Sequence, residues 1–376
     1  MSITNYWFQL IWLLTVGMVL AISLPKKQEI VMGRIEERWQ IAPAVLLVVP
    51  YILAATLRSD NFGDTYAYRS VFREAPSKIA ALPLYLEGIK KDKGFSVLIV
   101  IIKALIGNSP ILFFMFIATV QMLCMAFIYR KYSENYWMSI FVFVAGTDYM
   151  SWCHNGIRQF LAIAIIMAGF PLLLKRKYIP LIAIILLGAT FHASALLMIP
   201  IIFIVQGKAW NKKSVLCILG CILILIFVNQ FTDGMNNILS NTQYSNMVAD
   251  WKEWEDNGTN PIRVFVYSIP MILSIIGRKQ IKEADNPVIN IVTNFSILTS
   301  VIAMVSMKTS GIFIGRLISY GSMYSASILL PWEIENIFTR NSTIIIKSAT
   351  VLGYIGFFYY QMHFTWGLIW KIQKLV

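Results

Sequence analysis

The sequence predicts an all-α, polytopic helical membrane protein built as a single integral-membrane domain over residues 1–376, and three observations predict it. Hydrophobic residues make up 57% of the chain and charged residues only 14%, a balance no soluble globular domain keeps. Apolar runs of about 17 to 20 residues, the length that carries a helix across a bilayer, recur along nearly the whole chain. No alternating barrel pattern accompanies them, so the backbone must satisfy its own hydrogen bonds inside helices.

The first run, Tyr6 to Leu24, has no basic residue before it and Lys26 and Lys27 after it. That is the reverse of a cleavable signal peptide, and it reads as a retained helix with its N-terminus outside. Lysine and arginine, which insertion reads, place segment 25–40 inside, together with Arg130 and Lys131, Lys175 to Lys177, Lys208 to Lys213, and Arg278 to Lys282. The external loops are then about 58–93 and 229–262; the second is polar, acid-rich and aromatic, with Trp251 and Trp254 in DWKEWED. Phe95 to Ile106 reads as a short helix or an interfacial segment.

Two basic clusters, 175–177 and 208–213, both look cytoplasmic, yet one apolar run of about 29 residues separates them, too short for two crossings of roughly 20 residues each. Either one cluster lies outside, or the run GATFHASALLMIP (188–200) bends between Gly188 and Ser194 into a short or re-entrant hairpin with His192 near its tip. Irregular backbone at that depth must be surrounded by protein or by a water-filled cavity. Counting the hairpin as two, the chain reads as about twelve membrane segments.

Lysine and arginine outnumber aspartate and glutamate 32 to 19, but the excess sits in short clusters between apolar runs, which suits cytoplasmic loops and anionic lipid and not nucleic acid. Cys217 and Cys221 share a helix face with no further Cys or His beside them, so the four cysteines read as packing residues and no metal site is expected. Phosphate loops, HExxH and GxGxxG motifs are absent from the sequence, which argues against a soluble nucleotide as energy source.

Ionisable residues in or beside a membrane are costly, so each raises a functional question. His192 is either a hydrogen-bonding link between helices or a group able to take a proton from a hydroxyl near neutral pH. Arg158, in SWCHNGIRQFLAIAI, opens a helix with His154 and Asn155 one turn before it; it is a candidate anion site or a snorkelling side chain. Arg316 leads a stripe through Tyr320 and Tyr324 that suits an anion-binding face or an aromatic anchor. In SDNFGDTYAYRSVFRE, turn-spaced Asp60, Asp64, Tyr68, Arg69 and Arg73 would offer acid, phenol and guanidinium on one side of a short helix.

The order of these pieces is informative. GDTYAY, then DKGFSVLI, IRQFLAIAI, the basic turn KRKY, FHASALLMIP and a late arginine in IGRLISY together resemble the EpsG family of Wzy-like polysaccharide polymerases, from about Asp60 to Tyr324. The resemblance implies an enzyme that polymerises undecaprenyl-pyrophosphate-linked repeat units of an O-antigen, capsule or exopolysaccharide. It would work at the outer face of the bacterial inner membrane, without a cofactor, among flippase and chain-length regulator partners. Carried over residue by residue, it makes His192, Arg158 and Asp64 catalytic candidates. Arg158, Arg316, Tyr68, Arg69, Tyr320, His154 and Gln159 become substrate- or pyrophosphate-binding candidates. Lys93 and Gly94 stand where such proteins often show an acidic residue before the glycine; here Asp92 lies one place earlier. An O-antigen ligase would use the same kind of residues with a different acceptor. A lipid-linked oligosaccharide flippase or a transporter predicts symmetric halves, which the sequence does not display. A membrane acyltransferase would also use an intramembrane histidine, with a cytoplasmic acyl donor.

Overall fold

The computed structural model describes residues 6–239 and 256–366. The loop tryptophans Trp251 and Trp254 lie outside the described residues. The chain forms two compact units, Met1–Leu197 with Ile344–Val376, and Met198–Thr343.

Among the described residues the first unit is helical but for one small hairpin. Helix α1 (Phe8–Ser23) is followed by strands β1 (Lys27–Val31) and β2 (Arg34–Arg38), paired antiparallel within the segment expected inside. The two turn residues, Met32 and Gly33, both have positive φ, the conformation a two-residue hairpin turn demands. Arg130 clamps the hairpin through Glu29 at 2.9 Å and through the Trp39 carbonyl. There follow α2 (Ile41–Thr56), α3 (Thr65–Glu74), α4 (Leu82–Glu87), α5 (Lys93–Ile106), α6 (Pro110–Tyr132), α7 (Tyr136–Ala145), α8 (Ile157–Ala168), α9 (Phe170–Leu174) and α10 (Tyr178–Phe191). Helix α2 packs on α6, α6 on α8, and α8 on α10, while α5 lies against both α6 and α10.

The second unit holds α11 (Met198–Ile204), α12 (Lys212–Ile226), α13 (Val228–Leu239), α14 (Pro261–Ile276), α15 (Arg278–Ala284), α16 (Pro287–Lys308), α17 (Ile314–Leu317), α18 (Ser319–Tyr324) and α19 (Leu330–Asn336). Helix α16 is its centre and packs against α12, α14 and α18. The last helix, α20 (Arg340–Tyr360), starts in this unit and runs into the closing segment of the first.

Several long helices start as their sequences demand. Ser109-Pro110, Asn260-Pro261 and Asn286-Pro287 each place a capping side chain before a proline, whose missing N–H costs nothing at the first helical position. Three described helices, α6, α16 and Arg340–Thr365, are individually long and apolar enough to cross a membrane. Two further pairs qualify as bent spans, α12 with α13 at 101° and α14 with α15 at 73°, and shorter apolar helices make up the rest. The chain is thus a helical membrane protein. The sequence count of about twelve segments includes the short hairpin at His192 as two, whereas the described residues show three to five spans by length and composition, with shorter apolar helices besides. The helices are interrupted at Gly156 and at His192.

Candidate active site

The local backbone explains why the motif residues stand where they do. Gly63 of the GDTY motif has φ +53°, and a Cβ there would lie 3.3 Å from the His154 carbonyl oxygen and 3.2 Å from Asn155 Oδ1. Only glycine gives both the left-handed turn and that close approach. The turn releases α3, whose C-terminal carbonyls at Phe72, Arg73 and Ala75 all accept hydrogen bonds from Lys103 Nζ of α5, at 3.0, 2.6 and 2.5 Å. The helix carrying GDTYAY is therefore tied to the helix that opens with DKGF. Helix α5 in turn lies so close to α10 that a Cβ on Gly94 would sit 2.1 Å from Thr190 Oγ1. That contact brings DKGF against the end of α10, where FHAS begins.

These packings assemble one cluster at the start of α8. Arg158 Nη1 donates to Asp92 Oδ2 at 2.9 Å; the Arg158 side chain is 40% exposed and that of Asp92 only 9%, so solvent reaches the guanidinium and not its partner. The same carboxylate accepts the backbone N–H of Ala193, next to His192. Asp92 adopts the left-handed conformation, φ 54°, at the mouth of α5, a geometry non-glycine residues rarely take. Burial pushes its carboxyl up from its ordinary value, against the opposing pulls of Arg158, the Ala193 N–H and Lys91.

Arg158 also donates to the Tyr68 hydroxyl from its side chain and from its backbone N–H, and its guanidinium lies 5.9 Å from the Tyr68 ring centre. Burial raises the Tyr68 phenol, and Arg158 works in the other direction. Asp64, exposed at the N-cap of α3, acts electrostatically on both Tyr68 and Arg158. The Arg158 Nε is buried and has no hydrogen-bond partner among the described residues.

His192 ends α10 in extended backbone, φ −156° and ψ 116°, before the 3-10 turn Ala193–Leu197, so the break in the apolar run falls on the histidine. Its Nδ1 lies 2.7 Å from Ser194 Oγ. The turn that follows it packs on α8.

The remaining predicted residues are placed elsewhere. Arg69 pairs with Asp60 at 2.9 Å and donates to the Arg58 carbonyl, bracing the loop before α3. His154 does not continue the face of Arg158, because a π-helical turn, Met150–Asn155, and the kink at Gly156 (φ −90°, ψ 44°) interrupt the helix between them. It is buried, edge-on to the rings of Phe62 and Tyr149. Gln159 is buried on α8. In the second unit, Arg316 is exposed on α17, whereas Tyr320 and Tyr324 are buried and Tyr324 stacks on Phe295 at 4.3 Å. The expected stripe therefore runs from an exposed arginine to buried tyrosines, with Tyr324 packed against α16.

Two residues carry more of the geometry than their sequence context indicates. Asp92 reaches Arg158 from a left-handed turn at the mouth of α5. Asp256 accepts hydrogen bonds from Ser310 Oγ, from the N–H groups of Gly311 and Ile312 at 2.9 Å each, and from Gly258 N–H at 3.1 Å. It thereby fastens the segment that leads into Arg316. Thr259 is buried there and accepts from Ser306 Oγ, so the Asn-Gly-Thr triplet at 257–259 is part of a packed turn. The described residues contain no group of three or more His, Cys, Asp or Glu placed to hold a metal ion.

No curated protein and no solved structure matches the chain. A family model does: the EpsG family, over residues 41–370, from the first residue of α2 to beyond α20. That span contains Asp64, Tyr68, Asp92, Arg158, His192, Asp256 and Arg316 and covers most of the sequence, and on that match the chain belongs to the EpsG family.

Proposed function

We propose that this chain is a polysaccharide polymerase, a glycosyltransferase that joins lipid-pyrophosphate-linked oligosaccharide repeat units at the outer face of a bacterial inner membrane. Membership of the EpsG family supports the polymerase reading. The observation that carries the site is the Asp92–Arg158 ion pair, because it draws DKGF, IRQF and FHAS, three segments distant in sequence, to one place beside Tyr68.

The reaction forms a bond from an acceptor hydroxyl oxygen to the anomeric carbon of the donor and breaks the bond from that carbon to the pyrophosphate. The pyrophosphate leaves with the electron pair, and the hydroxyl gives up its proton. Arg158, oriented by Asp92 and Tyr68, stabilises the charge developing on the leaving group. His192 takes the proton at Nε2, with its Nδ1 hydrogen-bonded to Ser194 Oγ at 2.7 Å. Asp64 and Tyr68 bind sugar hydroxyls. The donor and acceptor are undecaprenyl-pyrophosphate-linked glycans, and no cofactor takes part.

Deletion of the gene from its host, followed by sizing of the lipid-linked glycan, tests the reading. Single repeat units should accumulate, and Arg158→Ala or His192→Ala protein that inserts normally should not restore polymer. Full-length polymer retained on its lipid would indicate a ligase, and loss of externally exposed units a flippase.

A further inference from the structure

We propose that the apolar groove between α5 and α10 holds the polyprenyl chain of the lipid-linked substrate, and that Lys90, Lys91 and Lys93 at its end bind the pyrophosphate. The inference rests on the polymerase reading and names the subsite through which the donor lipid reaches Arg158.

The groove has a volume of about 440 Å³ and lies wholly within the first unit. On α5 its wall is the stripe Lys93, Val97 and Ile101, one helical turn apart, so the lining changes from cationic to apolar over about 12 Å at 1.5 Å rise per residue. Leu187 and Phe191 face it from α10, again one turn apart. Leu187 is 50% exposed and Ile101 38%, so the groove opens sideways, where a chain longer than the groove continues into lipid. The charged end is lined by Asp92, Lys93 and Ala193. Asp92 and Ala193 are the residues that hold Arg158 and adjoin His192, so an anionic head group at this end lies beside the candidate active site.

The lysines identify the occupant by charge. Lys90, Lys91 and Lys93 are all exposed, and Asp92, the acid among them, is occupied by Arg158. They stand just before or at the start of α5, where the helix dipole disfavours cations, so helix stability does not account for them. A polyanionic head group on an apolar chain fits both halves of the groove; an ordinary phospholipid offers a single phosphate to three lysines and an arginine.

The test uses full-length protein in phosphatidylcholine nanodiscs and undecaprenyl pyrophosphate carrying a photoreactive diazirine on its chain. Adducts should map to peptides containing 97–101 and 187–191; adducts confined to other helices overturn the proposal. Val97→Trp, which fills the groove, should weaken binding of undecaprenyl pyrophosphate about tenfold, while Leu105→Trp, on the lipid-exposed end of α5, should not. Unchanged binding by Val97→Trp overturns the groove. Replacing the three lysines by alanine should weaken the pyrophosphate but not undecaprenol, and equal loss of both overturns the head-group assignment. Labelling abolished by excess phosphatidylglycerol would make the groove an ordinary lipid site and overturn the proposal as well. Binding requires no turnover: groove labelling by a chain that fails the glycan-sizing test sinks the polymerase reading alone, and polymerisation with labelling elsewhere sinks the groove alone.

Discussion

Arg158 shows how a single side chain acquires a chemical task from its partners. One Nη hydrogen bond goes to Asp92 and the Tyr68 hydroxyl takes another donor, while the side chain stays 40% exposed with further N–H groups on its guanidinium. Lysine has no planar fork, so Arg158→Lys should insert normally yet lower polymer output by at least about tenfold, read from lipid-linked glycan length. Asp92→Asn removes the charge partner. Because Arg158 is partly exposed, the cost should fall between that of a surface pair and a buried one, about 1–3 kcal/mol, seen as a lower melting temperature of detergent-purified protein. Asp256 offers a pH test. Burial pushes its carboxyl up, but Ser310 and the N–H groups of Ile312, Gly311 and Gly258 outweigh burial and hold it below its ordinary value. A depressed carboxylate contributes stability above its unfolded value, and that contribution is lost as pH falls through the folded one. The turns at 256–260 and 309–313 should therefore become protease-sensitive only in strong acid in the wild type, and already at neutral pH in Asp256→Ala. The sequence singles out Arg158, His192, Asp64 and Tyr68 by their cost or their motif; it is silent on Asp256, an ordinary acid in a polar loop.

Helix contacts decide which of these residues meet. Gly94 allows α5 to touch α10 at Thr190, and Gly94→Ala should cost about 1–3 kcal/mol by overpacking, since the nearest atoms include the Thr190 carbonyl, which cannot rotate away. Lys103→Met keeps the bulk of the stem but leaves three carbonyls at the end of α3 without their donor. A drop of about 1–3 kcal/mol in thermal stability is expected, together with weaker substrate binding as Tyr68 loses its fixed position. The Ser-Pro and Asn-Pro caps at three helix starts are local chemistry, set by neighbouring residues alone. Interruptions were legible only in part. The break at His192 followed from the length of its run, whereas the π-helical turn before Gly156 left no periodic signature, and so His154 read as a neighbour of Arg158.

For the molecule as a whole, the loop-charge topology makes a direct prediction. In a cysteine-free background, Ser77→Cys should react with a membrane-impermeant thiol reagent applied to the outside of cells, and Lys208→Cys should not; the reverse labelling would invert the topology and remove the candidate site from the outer face. Membrane residence, helical class and family follow from the sequence by itself, because hydropathy, backbone hydrogen bonding in lipid and motif order are properties of the chain read locally. Which residues share a site was decided only in three dimensions. Asp92 is 66 residues from Arg158 in sequence, and no local rule pairs them. The pairing exists because a left-handed turn at Asp92, the missing side chain of Gly94 and the halt of α10 at His192 let three helices approach closely enough for one carboxylate to bind both a guanidinium and a backbone amide.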